Sequence, residues 1–351
     1  MGRLRRLDGM RGILAVYVML GHALPLTIAP GFVQSLFRHG EAAVDLFFAL
    51  SGLVIAASLE RFGGAFRPFI MARARRLLPV YFIVLAAAIA IADLGDPLRT
   101  LPWVSLPARD LVAAALPRPF WPHLLAHLTL LHGLIPQAAL PYAYITLLGP
   151  AWSLSTEWQF YVLIGLIVPR HLGRFALAVL ALGAAWHLLP YGGAFSRAFF
   201  PDAAPYFALG LASAAWLRGQ RATLLPCLIG ACAIGLLTSP EKALPPLAWG
   251  AILLANSRPW GAILEHRAVL YLGAISYPLY LVNAPVERAV TLLLGPLTHG
   301  SAAVFSAIFL PLTLSLSLVI AALLHYGVER RFMRPGREQG IKSHLLSLPR
   351  L

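Results

Sequence analysis

The chain has 351 residues, of which 59% are hydrophobic and only 12% charged, with a mean hydropathy of +0.75. Soluble domains carry about 25% charged residues, so this balance excludes an ordinary soluble protein and predicts an all-α, multi-pass membrane helix bundle. The net charge of +14 would suit nucleic acid, but the arginines stand in short clusters between apolar runs rather than in one basic domain, which argues against that partner.

Apolar runs predict about ten transmembrane helices, at 10–29, 43–59, 77–93, 152–168, 174–190, 203–217, 222–237, 243–256, 269–294 and 301–326. Several are near the lower length limit for crossing a bilayer, which implies thin or tilted regions. The basic start and first run resemble a signal peptide, but the run is long and holds His22, so it reads as a retained span. An even count places both termini on one side. With the N-terminus in the cytoplasm, three quarters of the 28 Lys and Arg fall on the cytoplasmic side, as the positive-inside bias requires. A membrane domain over 1–335 and a cytoplasmic tail over 336–351 are expected. Cys227 and Cys232 share one apolar run and read as small core residues.

Along the chain, chemistry first becomes visible at Arg11 and His22. Eleven residues bring a helix back to nearly the same face, about 16 Å further along. An imidazole at membrane depth is costly and marks function; it can act as a general base near neutral pH. The plainer reading is a topology arginine and a histidine satisfied between helices. Glu41 and Asp45, four apart at the outer start of the second run, share a helix face. They either complement the helix dipole or orient His22 as the carboxylate of a triad does. Arg73 and Arg76, three apart beside Arg75, form a cytoplasmic cluster before the third run. Positive-inside explains them, and so does a polyphosphate or phosphate monoester held by two guanidinium forks.

The long outer connection 94–151 is rich in Pro, Trp and His, and a loop of this length is usually functional. His123 to His132 reads as a short helix on or dipping into the membrane. His123 and His127 have ligand-like spacing but no third ligand nearby in sequence, so no metal is expected. Ser153 and Glu157 sit at the outer start of the fourth run, among Trp152, Trp158, Phe160 and Tyr161. Ser153 either caps that helix or forms with Glu157 a cleft that positions an acceptor or oxyanion donors.

Five segments in order resemble the membrane-bound acyltransferase-3 family: Arg6–Gly12 with Gly21-His22-Ala23; Ala43 to Gly52; Arg73-Ala74-Arg75-Arg76-Leu77-Leu78-Pro79; Trp152-Ser153-Leu154 with Glu157 and Phe160-Tyr161; and Ile275 to Leu281. The resemblance spans nearly the whole chain. It implies a bacterial inner-membrane O-acyltransferase of the type that modifies exopolysaccharide, O-antigen, Nod factor, peptidoglycan or macrolide. The implied donor is acyl-CoA, acetyl-CoA foremost, and the favoured acceptor is a carbohydrate or glycolipid. Arg11, Arg73 and Arg76 are then expected to bind the donor, with His22, Asp45, Ser153 and Glu157 as catalytic residues. Relatives often carry His after the late Tyr-Leu pair, where this chain has Asn283; an amide bonds hydrogen but takes no proton at neutral pH. The competing class is a transporter or flippase built on the same intramembrane ionisable groups. It would show inverted repeats or paired broken helices, and the sequence shows neither.

Overall fold

The computed structural model describes residues 2–104, 116–189, 194–256 and 259–333. Arg109, Arg258, Arg334 and the predicted tail 336–351 lie outside them. Among the described residues every regular element is a helix. The helices are α1 (Gly2–Ala23), α2 (Gly31–Phe37), α3 (Gly40–Arg61), α4 (Phe66–Ala92), α5 (Phe120–Leu128), α6 (Ala151–Ile167) and α7 (Leu172–Leu188). They continue with α8 (Phe200–Leu217), α9 (Leu224–Thr238), α10 (Leu244–Asn256), α11 (Arg267–Leu297), α12 (Ala302–Leu324) and, after a π turn at His325–Glu329, α13 (Arg330–Met333).

Helices stand at each predicted apolar run. Six segments are long and apolar enough to cross a membrane: Arg5–Leu26, Gly31–Arg61, Phe66–Ala92, Arg221–Thr238, Arg267–Leu297 and Ala302–Met333. Leu172–Leu188 is apolar but shorter. Several boundaries differ from the apolar runs for local reasons. α1 begins eight residues before the run's Met10, because arginine is a good helix former and Arg6 pairs with Glu265 at 2.7 Å. It gives way to a 3₁₀ turn at Leu24–Leu26, where Pro25 cannot continue an α-helix. α4 begins at Phe66 rather than Leu77, so Arg73 and Arg76 lie on the helix itself and not in a loop before it. α2 has no counterpart among the predicted elements.

Two parallel helix pairs set the levels of the functional residues. α1 runs along α11 with glycine against backbone: a Cβ on Gly12 would lie 2.5 Å from the Gly273 nitrogen. Only glycine permits that approach. Ten residues further along each helix are His22 and Asn283, so the register of the pair brings them to one level. α3 and α8 meet the same way. A Cβ on Gly210 would lie 2.0 Å from the Ala49 carbonyl oxygen, and Glu60 bonds Arg218 at 2.9 Å at the far end of the pair. In the other direction the same register puts Asp45 beside the first turns of α8. The side on which α1, α4 and α11 begin is called proximal below, and the other distal.

Candidate active site

His22, the penultimate residue of α1, is exposed. It faces the Asn283 amide, which is fully buried.

The proximal half of the bundle gathers Arg11, Arg73 and Arg76. Arg11 interacts electrostatically with Arg76, Glu157 and Tyr161. Arg73 donates to Ser58 Oγ, and its guanidinium carbon lies 5.8 Å from the Tyr161 ring centre and 6.0 Å from that of Phe69. Arg76 approaches Glu329 at 3.9 Å, and Glu329 is itself held by His325 Nδ1 at 2.7 Å. The Nε atoms of Arg11 and Arg73 are buried without a hydrogen-bond partner. Guanidinium groups side by side repel one another, and buried N–H groups are normally paired. Such a cluster is what an anionic ligand satisfies with forked hydrogen bonds.

Glu157 belongs to this proximal group. It accepts hydrogen bonds from Ser51 Oγ and Tyr161 OH, and it interacts electrostatically with Arg11 and Arg73. Ser153, one turn earlier on α6, has partners of its own, and Glu157 lies deeper than the outer position expected for it. Ser153 bonds the Pro150 carbonyl and, at 2.9 Å, the Tyr280 hydroxyl. The reason for the depth of Glu157 lies in the long connection. The first residue of α6, Ala151, is fully buried, and its carbonyl accepts from His132 Nε2 at 3.0 Å. α6 starts inside the molecule, so a residue less than two turns along it is already deep.

The predicted carboxylate partner of His22 is likewise found elsewhere. Glu41 pairs with Arg197, and Asp45 lies 3.9 Å from the same guanidinium and near Tyr206. Arg197 stacks over the Trp152 ring at 4.1 Å. Asp202 joins this distal group, with Lys242 3.7 Å away. Asp45 and Glu41 thus serve an ionic cluster between α3 and α8. Arg197 gave no signal in the sequence beyond topology, whereas Ser51 and Tyr161 lie within the motifs quoted above.

The three loop histidines are buried. His127 and His132 stack at 4.2 Å, and the His127 carbonyl accepts from Tyr81 OH at 3.0 Å, which ties α5 to the middle of α4. No group of three or more His, Cys, Asp or Glu among the described residues could hold a metal ion. Burial pushes the His132 imidazole down to about 4, outweighing its bond to the Ala151 carbonyl. In the unfolded chain the ring protonates near its ordinary value of about 6.5. Stability is then full above that value and falls as pH drops from about 6.5 to about 4, because the unfolded state binds the extra proton. At pH 5 the loss is about 2 kcal/mol from His132. The thermal midpoint of the detergent-purified protein is expected to fall between pH 7 and pH 5, and less so in His132→Gln. Equal pH dependence in both proteins would remove His132 as the cause.

Comparison with known proteins agrees with this architecture. The profile of the Acyltransferase domain family matches residues 4–324. Protein 2 in the picA locus of Rhizobium radiobacter is 38% identical over 88 residues, which cover 23% of this chain and 41% of that protein. The acyltransferase MdmB of Streptomyces mycarofaciens is 30% identical over 166 residues, covering 46% of this chain and 38% of that protein. The matches thus span well under half the length of either relative. No solved structure matches the chain. With its motifs in order and its helices in a multi-pass membrane bundle, the chain belongs to the acyltransferase-3 family.

Proposed function

We propose that this protein is an O-acyltransferase of the bacterial inner membrane. It takes an acyl group, acetyl foremost, from acyl-CoA on the proximal, cytoplasmic side and delivers it to a hydroxyl of a carbohydrate or glycoconjugate reached from the distal side. The observation that carries this reading is the proximal arginine cluster with its unpartnered buried N–H groups, one member of which, Arg11, shares α1 with His22. Phosphates of the donor would engage Arg73, Arg76 and Arg11, and the pantetheine arm would extend along α1 for about 16 Å to His22. His22 would take the acceptor's proton while the alcohol oxygen attacks the thioester carbonyl. The carbon–sulfur bond then breaks, and the proton passes to the departing thiolate. Ester and free thiol are the products, and no proton is gained or lost. Glu157, held by Ser51 and Tyr161, would fix the arginines among which it sits.

The membrane location follows from this chemistry. A charged, cytoplasmic donor and an acceptor on the opposite face share no aqueous phase, so only the acyl group needs to cross. The test is thiol release. Purified full-length protein given acetyl-CoA and a panel of oligosaccharides and alkyl glycosides is expected to liberate coenzyme A thiol with at least one acceptor and to leave an acetyl ester on it. Transport of a labelled glycoside without thiol release would overturn the reading in favour of a carrier.

A further inference from the structure

A general-base histidine needs its second ring nitrogen held by an acceptor, which fixes the tautomer and the ring plane. The carboxylates nearest in the sequence motifs, Glu41 and Asp45, are occupied by Arg197. What stands beside His22 instead is Asn283. Its side chain is fully enclosed, yet neither amide atom completes a hydrogen bond of ordinary geometry. An unpaired buried amide is costly, and an apolar residue would be the simple choice for a membrane helix.

Asn283 is not alone. Glu287, one turn further along α11, is buried with Oε1 unpartnered. Thr313 and Ser317 on α12 are fully buried with unpartnered hydroxyls. α11 and α12 are antiparallel about the turn at 298–301, so Glu287 stands level with Thr313 and Asn283 level with Ser317. Buried, unpartnered polar groups thus recur at two successive levels of this helix pair, the first of them beside His22.

We propose that Asn283 is the positioning residue for His22. Its Oδ1 accepts the N–H of one ring nitrogen and leaves the other unprotonated toward the substrate, while Nδ2 is turned to the buried polar groups behind it. Hydrogen bonds of this kind are often long in the ligand-free state and tighten when substrate is bound. The inference rests on the acyl-transfer reading and adds to it the group that orients the base.

The experiment compares Asn283→Leu and Asn283→Asp with wild type, as purified full-length protein, using acetyl-CoA with the acceptor that gives thiol release. Loss of an orienting partner costs about 10–100-fold. Asn283→Leu is expected to lose about that much in kcat with KM for acetyl-CoA unchanged, and to melt at or above the wild-type temperature because its buried unpaired amide is gone. Asn283→Asp, which can still accept the N–H, is expected to recover most of kcat. Should the leucine variant fail to fold, Asn283→Ala takes its place with the same expected loss in kcat. Wild-type kcat in Asn283→Leu, or equal losses in the leucine and aspartate variants, would overturn the proposal while leaving acyl transfer standing. No thiol release by wild type with any acceptor would bring down the acyl-transfer reading and this proposal with it.

Discussion

His22→Ala is expected to lower acyl transfer by about 10²–10⁴-fold, the usual contribution of a positioned general base, and to leave the affinity for acetyl-CoA nearly unchanged. The two halves of that outcome come from different parts of the structure. The imidazole is exposed, so its removal creates no sealed cavity and costs little stability. The donor's phosphates would sit with the arginine cluster, about 16 Å away along α1, so donor binding should not feel the change. His22→Gln sharpens the measurement. It can still hydrogen-bond Asn283 but cannot take a proton near neutral pH, so it is expected to be as inactive as the alanine variant. Turnover within about tenfold of wild type in either protein, measured by thiol release at saturating acetyl-CoA, would end the general-base assignment.

Much of this site is written in the sequence, and the omissions have physical causes. The eleven-residue spacing of Arg11 and His22 is a property of one helix, so it can be read without knowing any neighbour. The same holds for Arg73 and Arg76, whose three-residue spacing sends both into the proximal cluster while Arg75 is exposed. Partnerships between helices are not legible in this way. Asp45 meets Arg197 and Tyr206 because Gly52 and Gly210 lock α3 onto α8 in one register, and nothing in either segment alone specifies that pairing. Asn283 meets His22 because Gly12 and Gly273 do the same for α1 and α11. Depth is hidden as well. Glu157 looks like an outer residue because it is near the start of its apolar run; it is a deep one because a loop folds over that start and is pinned there by His132. Apolar-run boundaries also mislead at α4, where the charged stretch before Leu77 belongs to the same helix. Length along a chain measures depth only when the helix begins at the membrane surface.

Replacing both Arg73 and Arg76 by alanine is expected to weaken acetyl-CoA binding by about 10²-fold or more, with a smaller effect on the rate at saturating donor. Hydrogen bonds to charged groups contribute about 1.5–3 kcal/mol each, and two forks on one phosphate-bearing ligand supply several. The single variants are not expected to add up simply, because Arg73 and Arg76 interact with each other and interacting sites couple. Arg73→Lys and Arg76→Lys keep the charge but lose the planar fork, so each should fall between wild type and its alanine variant. Arg75→Ala is the control: it lies on the same turn and carries the same charge, but it is exposed and should bind donor as wild type does. Adenosine 3′,5′-bisphosphate isolates the phosphate end of the donor from its thioester. Its competition against acetyl-CoA should weaken in parallel with the double variant and with rising salt. Loss of folding is checked separately by the melting temperature, since Arg73 also packs over Phe69 and Tyr161. If the double variant melts normally and binds both ligands as wild type does, the cluster reverts to a topology signal and the donor's phosphates must be held elsewhere. If binding falls while Arg75→Ala is unaffected, the loss cannot be put down to net positive charge, and the two inward-facing guanidiniums are the donor's anchor.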